Sequence, residues 1–147
     1  MDIKEEINKR RKDNWFDAAF AIEVLAIDKD VAESSLHKHV KNLAKEEGVF
    51  VYEKAFSEAT KVEKPMPNVD EAYSKIVSLR LFVKNLSTLM QVVMLYGPSS
   101  IEILGPPKRE ISLGEIQHVA NNLASIVHQF AAAGVGGIVI TPEKKQN

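Results

Sequence analysis

The chain has 147 residues, of which 45% are apolar and 27% are charged. This is the profile of a soluble globular domain that is long enough to fold without a disulfide or a metal. The absence of cysteine excludes disulfides, thiolate metal sites and cysteine nucleophiles. The 19 basic and 20 acidic residues give a formal net charge of -1, so no overall charge draws the chain to nucleic acid or to an anionic membrane.

The first fourteen residues are charged and lack the apolar core of a signal peptide, so they predict a short polar helix or a frayed leader. No apolar run approaches the ~20 residues that span a bilayer. We therefore expect a cytoplasmic protein without a membrane partner. The domain organisation that we expect is a polar leader over 1–14, a single α+β domain over 15–140 and a C-terminal tail over 141–147.

The first half of the domain predicts two strands around one helix. Residues 15–26 alternate between apolar and polar side chains, which favours a strand, although their alanines also suit a helix. Asp28 offers an N-cap oxygen, and apolar residues at helical spacing predict a helix over 30–47. Residues 49–62 predict the second strand, and the two prolines in 64–68 predict a loop.

The second half predicts two further strands and two helices. Residues 73–83 alternate as a third strand, and 100–104 form a short fourth strand. Between them, we expect Ser87 to cap a helix that Gly97 ends. The Ser-x-x-Glu pattern that starts at Ser112 is a capping box, and a long apolar stripe at helical spacing follows it.

This order of elements matches a ferredoxin-like βαββαβ plait, with a C-terminal helix and an N-terminal helix added. Right-handed crossovers then place both internal helices on one face of a four-stranded antiparallel sheet. The other face stays open unless the last helix, the leader or a second subunit covers it.

The most distinctive candidate for a ligand site is the junction between the fourth strand and the helix that precedes it. It holds Tyr96, Ser99, Ser100 and Glu102 within seven residues. The hydroxyls and the carboxylate can hydrogen-bond a polar ligand. The alternative is a tight turn whose serines satisfy backbone groups. Because no nucleophile elbow and no general base accompany the serines, we predict no catalytic residue.

The histidines and glycines predict no metal site and no cofactor. His37 and His39 are two residues apart, and His118 and His128 are ten apart, so neither pair has the spacing of a helical metal site. The glycines after residue 133 lack the Gly-x-Gly-x-x-Gly spacing of a dinucleotide-binding loop.

The last helix lacks charge in a way that predicts self-association. No charged residue lies between Glu115 and Glu143. Uncharged polar surface of this kind is typical of interface cores, whereas free helix surfaces usually carry lysine and glutamate. We therefore expect a homo-oligomer, although a merely solvated polar helix is the alternative. The expected interface comprises His118, Asn121, Asn122, Ser125, His128 and Gln129.

Three functions remain open on these grounds. The leading prediction is a non-catalytic, self-associating binding or regulatory module of unknown ligand. The first alternative is a single-stranded RNA binder that stacks bases on the open sheet face, where Phe82 and Arg80 share one face of the third strand and Trp15 stands at the start of the first. The RNA-recognition sequence pattern is absent and the chain is not basic, so we expect no nucleic acid. The second alternative is an enzyme with a site between subunits.

Three stretches resemble a family of small uncharacterised archaeal proteins: Glu71 to Ser74, Tyr96 to Leu104 and Gly114 to Gln117. The resemblance covers residues 15–140. It implies an archaeal cytoplasmic protein and an oligomer, and it transfers no activity and no catalytic residue.

Overall fold

The computed structural model describes residues 2–134, which form four helices and an antiparallel five-stranded sheet. They fall into two compact units, one that runs to Glu110 and one that begins at Ile111. None of the helices in residues 2–134 is both long and apolar enough to cross a membrane. The elements are α1 (Ile3–Lys12), β1 (Phe16–Ala26), α2 (Lys29–Ala44), β2 (Val49–Phe56), β3 (Thr60–Met66), β4 (Val69–Val83), α3 (Leu86–Tyr96), β5 (Ser100–Gly105) and α4 (Leu113–Ala132).

The sheet of the first unit has the strand order β2-β4-β1-β5, and β3 also pairs with β4. The long β4 makes this arrangement possible, because its early residues pair with β3 and its later residues pair with β2. On its other side β4 pairs with β1 along the whole of β1. Among the strands of residues 2–134, β5 pairs only with β1 and is therefore an edge strand of the described sheet.

One face of the sheet carries the core. Ala18, Phe20 and Ile22 of β1 are two residues apart, so their side chains share this face and are buried. Opposite residues of β4 and the apolar stripe of α2 complete the same cluster, which includes Leu36 of α2 and Val92 of α3. The apolar residues that recur at helical spacing on α2 and α3 therefore pack against the apolar residues that alternate along the strands on this face. We call the other side of the sheet the outer face.

The N-terminal helix α1 covers one end of the outer face. The guanidinium of Arg10 lies 4.1 Å from the ring centre of Phe50, and that of Arg11 lies 5.9 Å from the ring centre of Phe82. Phe82 is completely buried, with the ring of Tyr52 stacked 5.0 Å away. The leader is thus a helix that packs cationic side chains on aromatic rings.

The predicted four-stranded sheet is wrong by one strand, because the strand expected over 49–62 is two strands. Ser57, which lies between β2 and β3, accepts a hydrogen bond from the backbone N–H of Ile76 at 3.0 Å. The N–H of Ser57 also donates to the carbonyl of Ile76 at 2.8 Å, so the serine side chain accepts the bond that a ladder carbonyl would accept at the end of β2. The mixed α+β class is confirmed.

The loop predicted over 64–68 is shorter than expected, since β3 extends to Met66 and only Pro67 and Asn68 form the turn to β4. The register of β3 against β4 shifts between Glu63 and Met66, and Lys64 has a φ of +47°. Pro65 thus lies at an irregularity of an edge strand, where its missing N–H costs no regular ladder bond.

The remaining elements follow the sequence closely, with one wrong cap. The N-cap of α3 is Asn85 rather than Ser87, and its Oδ1 accepts a hydrogen bond from the N–H of Thr88 at 2.9 Å. Gly97 ends α3 in the left-handed conformation, and Ser112 caps α4, as predicted. The tail predicted over 141–147 lies outside the described residues.

Candidate functional site

The uncovered part of the outer face forms a groove of about 420 Å³. Its floor consists of small side chains on three adjacent strands, and longer charged side chains rise beside them. We call it the open-face groove. The side chains that reach it from the outer face are those of Ala19, Ala21, Glu53, Ser78, Arg80, Ser100 and Glu102.

The strand register explains why these residues meet. Ala19 of β1 lies opposite Arg80 on β4 and opposite Glu102 on β5, so the three side chains point to the same face. One step along, Ala21 lies opposite Ser78 and Ser100 in the same way. Small residues on the central strand between longer residues on its neighbours leave a concave surface.

A register shift in β2 brings the second carboxylate to the groove. Val51 pairs with Leu81, and the next pair is Glu53 with Arg80, so Tyr52 is the extra residue of a bulge. The bulge turns the side chain of Glu53 to the outer face beside Arg80. Within the described part of the chain, the side-chain carboxylates of Glu53 and Glu102 have no hydrogen-bond or ion-pair partner.

A buried carboxylate lies beside Arg80 at one end of the groove. Asp17 is 8% exposed and accepts a hydrogen bond from the hydroxyl of Tyr52 at 2.7 Å. The guanidinium nitrogens of Arg80 and Arg11 lie 3.5 Å and 3.8 Å from the second oxygen of Asp17. Burial raises the pKa of Tyr52 to about 12, and the hydrogen bond to Asp17 adds to the effect. Arg80 is therefore already neutralised by Asp17.

A second cavity of about 480 Å³ adjoins this carboxylate. It shares Arg80 with the open-face groove, and Trp15 and Pro106 contribute apolar walls. With Arg11 and Arg80 against Asp17, this cavity has an excess of positive charge, whereas the open-face groove has an excess of negative charge.

The structure brings together two of the four predicted ligand residues. Ser100 and Glu102 line the open-face groove. Ser99 instead donates from both its N–H and its Oγ to the carbonyl of Ala21, at 2.7 Å and 3.1 Å. This is the turn in which a serine satisfies a backbone group.

Tyr96 belongs to the other layer. It packs against the core from α3, and its hydroxyl donates to the carboxylate of Glu46. Burial raises the pKa of Tyr96 to about 12, and the bond to Glu46 adds to the effect. Its carbonyl oxygen lies 2.9 Å from a ring nitrogen of His39.

Sequence reasoning missed Glu53 and the alanine floor. The signal for the floor was present, since Ala19 and Ala21 alternate with the apolar residues of β1 and so had to face the open side. No signal marked Glu53, because regular alternation from Val51 would have sent its side chain to the core face.

The predicted interface residues all lie on α4, which belongs to the second compact unit. None of its residues is buried. Five of the six polar residues are exposed, and Asn122 is half-buried. The apolar stripe is exposed as well, with Leu113 at 84%, Ile116 at 48% and Phe130 at 45%.

The side chains that would bind a metal ion or form a catalytic dyad do not come together in residues 2–134. No group of three or more histidine, cysteine, aspartate or glutamate residues is placed there to hold a metal ion. His37 packs on Phe56 with ring centres 4.1 Å apart, and His39 faces Tyr96. No histidine lines the open-face groove, so the arrangement suits recognition by hydrogen bonds and charge.

Comparison with known proteins agrees with the resemblance seen in the sequence. No curated protein matches this chain. The model of the MJ0538 family matches residues 17–146. That family is uncharacterised and takes its name from a protein of the archaeon Methanocaldococcus jannaschii. The archaeal resemblance is therefore confirmed, and because the match covers nearly all of the chain, this protein belongs to the MJ0538 family.

Proposed function

We propose that this protein is a non-catalytic, cytoplasmic binding module that self-associates and takes a small molecule bearing a protonated amine in the open-face groove. The observation that carries the ligand proposal is the pair of unpartnered carboxylates, Glu53 and Glu102, on either side of an alanine floor. The finer fold belongs to the same proposal. With β3 set aside, the strand order β2-β4-β1-β5 is that of a ferredoxin-like plait.

The charge balance of the groove selects the ligand. Arg80 lies against Asp17, so its positive charge is already paired. Glu53 and Glu102 are left to attract a cation, and the hydroxyls of Ser78 and Ser100 can accept hydrogen bonds from an ammonium group. A volume of about 420 Å³ is at the lower end of the range for small-molecule sites.

The test uses one cationic and one anionic probe of similar length. We expect the diamine putrescine to raise the melting temperature of the full chain, and the dicarboxylate succinate to leave it unchanged. Glu102→Gln should abolish the effect of putrescine. Glu47→Gln removes an exposed carboxylate outside the groove and should preserve that effect. Equal responses to both probes, or no response to either, would refute the proposed ligand class.

Self-association through α4 rests on the composition of that helix. Apolar residues alternate at spacings of three and four, as in helices that pack against other helices: Ile116, Val119, Leu123, Ile126 and Phe130. No charge follows Glu115 within the 20-residue helix, so two copies would not repel one another. An uncharged helix with an exposed apolar stripe is typical of a surface that a partner covers.

The α4 interface is tested by adding charge. Asn121→Glu together with Ser125→Glu places two carboxylates on the polar side of the helix. We expect this double variant to lower the subunit number measured by native mass spectrometry. Ser34→Glu with Asn42→Glu adds the same two negative charges at exposed positions of α2 and should preserve the assembly. An unchanged assembly in the α4 variant would refute this interface.

Two features of the outer face weigh against the RNA alternative. Phe82, the aromatic residue expected to stack a base, is completely buried beneath α1 and Tyr52. The groove beside it has an excess of carboxylates, which would repel a phosphate backbone. Binding of oligouridine that weakens steeply with salt would reinstate that alternative.

A further inference from the structure

The second cavity is the feature that the proposed amine ligand leaves unused. It lies where β1 begins and β5 ends, and Asp17 pairs there with Gly105. Gly105 has no side chain, and a Cβ at this position would meet no atom within 4 Å apart from those of its chain neighbours. This end of the sheet is therefore hollow, and α1 contributes Arg11 to its wall. The volume of about 480 Å³ lies within the range of small-molecule sites.

The residues of this cavity do not balance their own charge. The guanidiniums of Arg11 and Arg80 share one carboxylate, that of Asp17. One oxygen of Asp17 accepts the hydrogen bond from Tyr52, and both guanidiniums lie against the other oxygen, at 3.8 Å and 3.5 Å. These distances exceed the length of a hydrogen bond between charged groups, about 2.7–2.9 Å. Since the other lining residues are uncharged, one positive charge is left for a ligand.

Hydrogen-bond donors remain available on these two side chains. Among the described residues, the Nε of Arg80 is buried without a hydrogen-bond partner. The side chain of Arg11 is 57% exposed, and it lines the second cavity but not the open-face groove. A guanidinium carries five N–H donors in a planar fork that matches the two oxygens of a carboxylate. Arg11 is therefore placed to bind a carboxylate that enters this cavity.

The walls of the cavity select a flat apolar group beside the anion. Trp15, Pro106 and Pro107 line it, and their rings present flat apolar surfaces. The guanidinium of Arg10 lies 5.1 Å from the ring centre of Trp15 without lining the cavity, so it supports the indole from outside. The proline rings are rigid, so binding has little of this wall to order.

We propose that the second cavity binds a small aromatic monocarboxylate. Its carboxylate accepts hydrogen bonds from Arg11, and its ring packs on Trp15 and the two prolines. The single uncompensated charge matches one carboxylate, whereas a phosphate monoester carries nearly two negative charges at neutral pH. Succinate has two charges and no ring, so it remains a valid negative probe for the amine site. The two sites share only Arg80 among the described residues.

Tryptophan fluorescence reports on this cavity, because Trp15 is the only tryptophan of the chain. We expect phenylacetate to shift the emission of the full chain to shorter wavelength, because a ring packed on the indole excludes water. The shift should saturate below about 10 mM. Phenylacetamide has the same ring without the charge and should give at most about a tenth of the shift at the same low concentration. A shift that does not saturate, or equal shifts from both probes, would overturn the proposal.

Substitutions at two neighbouring positions of α1 locate the binding. Arg11→Gln removes the uncompensated charge and should weaken phenylacetate binding by at least about tenfold. Lys12→Gln removes the same charge from an exposed residue that does not line the cavity, and it should change the affinity by less than about twofold. An unchanged affinity in Arg11→Gln, or equal losses in both variants, would overturn the site.

Two further arms separate the ligand class and the amine site. Phenyl phosphate should bind no more tightly than phenylacetate, and tighter binding would overturn the choice of a monocarboxylate. Glu102→Gln, which should abolish the putrescine effect, should still bind phenylacetate, because Glu102 does not line the second cavity. Loss of phenylacetate binding in that variant would overturn a separate site. The putrescine test reads melting temperature and this test reads tryptophan emission, so either can fail alone.

Discussion

The hydrogen bond between Tyr52 and Asp17 joins two strands that are not neighbours, and its removal should be measurable. Asp17 lies on β1 and Tyr52 on β2, with β4 between them. We expect Tyr52→Phe to destabilise the first unit, because the substitution leaves the ring on Phe82 and removes only the hydroxyl. A hydrogen bond to a charged group contributes about 1.5–3 kcal/mol. Since Tyr52 is only partly buried, we take the lower value, about 1.5 kcal/mol.

The second substitution, Asp17→Asn, separates charge from hydrogen bonding. Asparagine keeps an acceptor for Tyr52 and loses the attraction to Arg80 and Arg11. Those nitrogens lie at 3.5 Å and 3.8 Å, and the side chain of Arg11 is 57% exposed. Exposed ion pairs contribute ~0–1 kcal/mol each, so we expect a loss of about 1–2 kcal/mol. The Nε of Arg80 is already buried without a partner, which favours the upper value.

Urea unfolding of the single and double variants measures the coupling between the two groups. A loss of 1.5 kcal/mol lowers the midpoint by about 1 M when the m value is about 1.5 kcal/mol/M. Residues in one network should deviate from additivity by at least about 0.5 kcal/mol. Effects that add within ~0.3 kcal/mol would refute the reasoning, because independent residues behave in that way. A matching m value in all variants is the control for a change in the unfolded state.

Three further outcomes are expected. Leu36→Ala empties a fully buried position on α2 and should lower the free energy of unfolding by about 3 kcal/mol in urea titrations. Gly97→Ala should cost about 1 kcal/mol in the same assay, because a Cβ there meets no atom within 4 Å and only the positive φ is strained. The stability that Tyr96 contributes should be complete below pH 10 and should disappear as the pH rises toward 12, because the unfolded chain releases the proton first. Tyr96→Phe should remove this loss in pH-dependent unfolding.

Local patterns predicted the elements wherever one principle controlled the outcome. The alternation of β1, the apolar spacing of α2 and the cap at Ser112 all appear in the structure. The failures occurred where two principles competed. Two prolines predicted a loop, but an irregular edge strand tolerates Pro65. Ser87 and Asn85 are both good caps, and sequence alone did not decide between them.

The candidate site was less predictable than the fold, because it depends on register. Ser100 and Glu102 stood out as polar residues near a turn. Their partners Glu53 and Arg80 are distant in the chain and meet them only through pairing across β1 and β4. The bulge at Tyr52 decides which way Glu53 points, and a single extra residue in a strand leaves no sign in the hydrophobic pattern.

The composition of the groove makes the affinity for a ligand depend on salt. Its floor consists of alanine and serine, which offer little apolar area to a ligand, so affinity must come from Glu53 and Glu102. In an open groove, water and salt weaken such attractions over about 8 Å at physiological ionic strength. The rise in melting temperature that putrescine causes should therefore shrink as the salt concentration increases, and a rise that is independent of salt would refute the role of these two carboxylates.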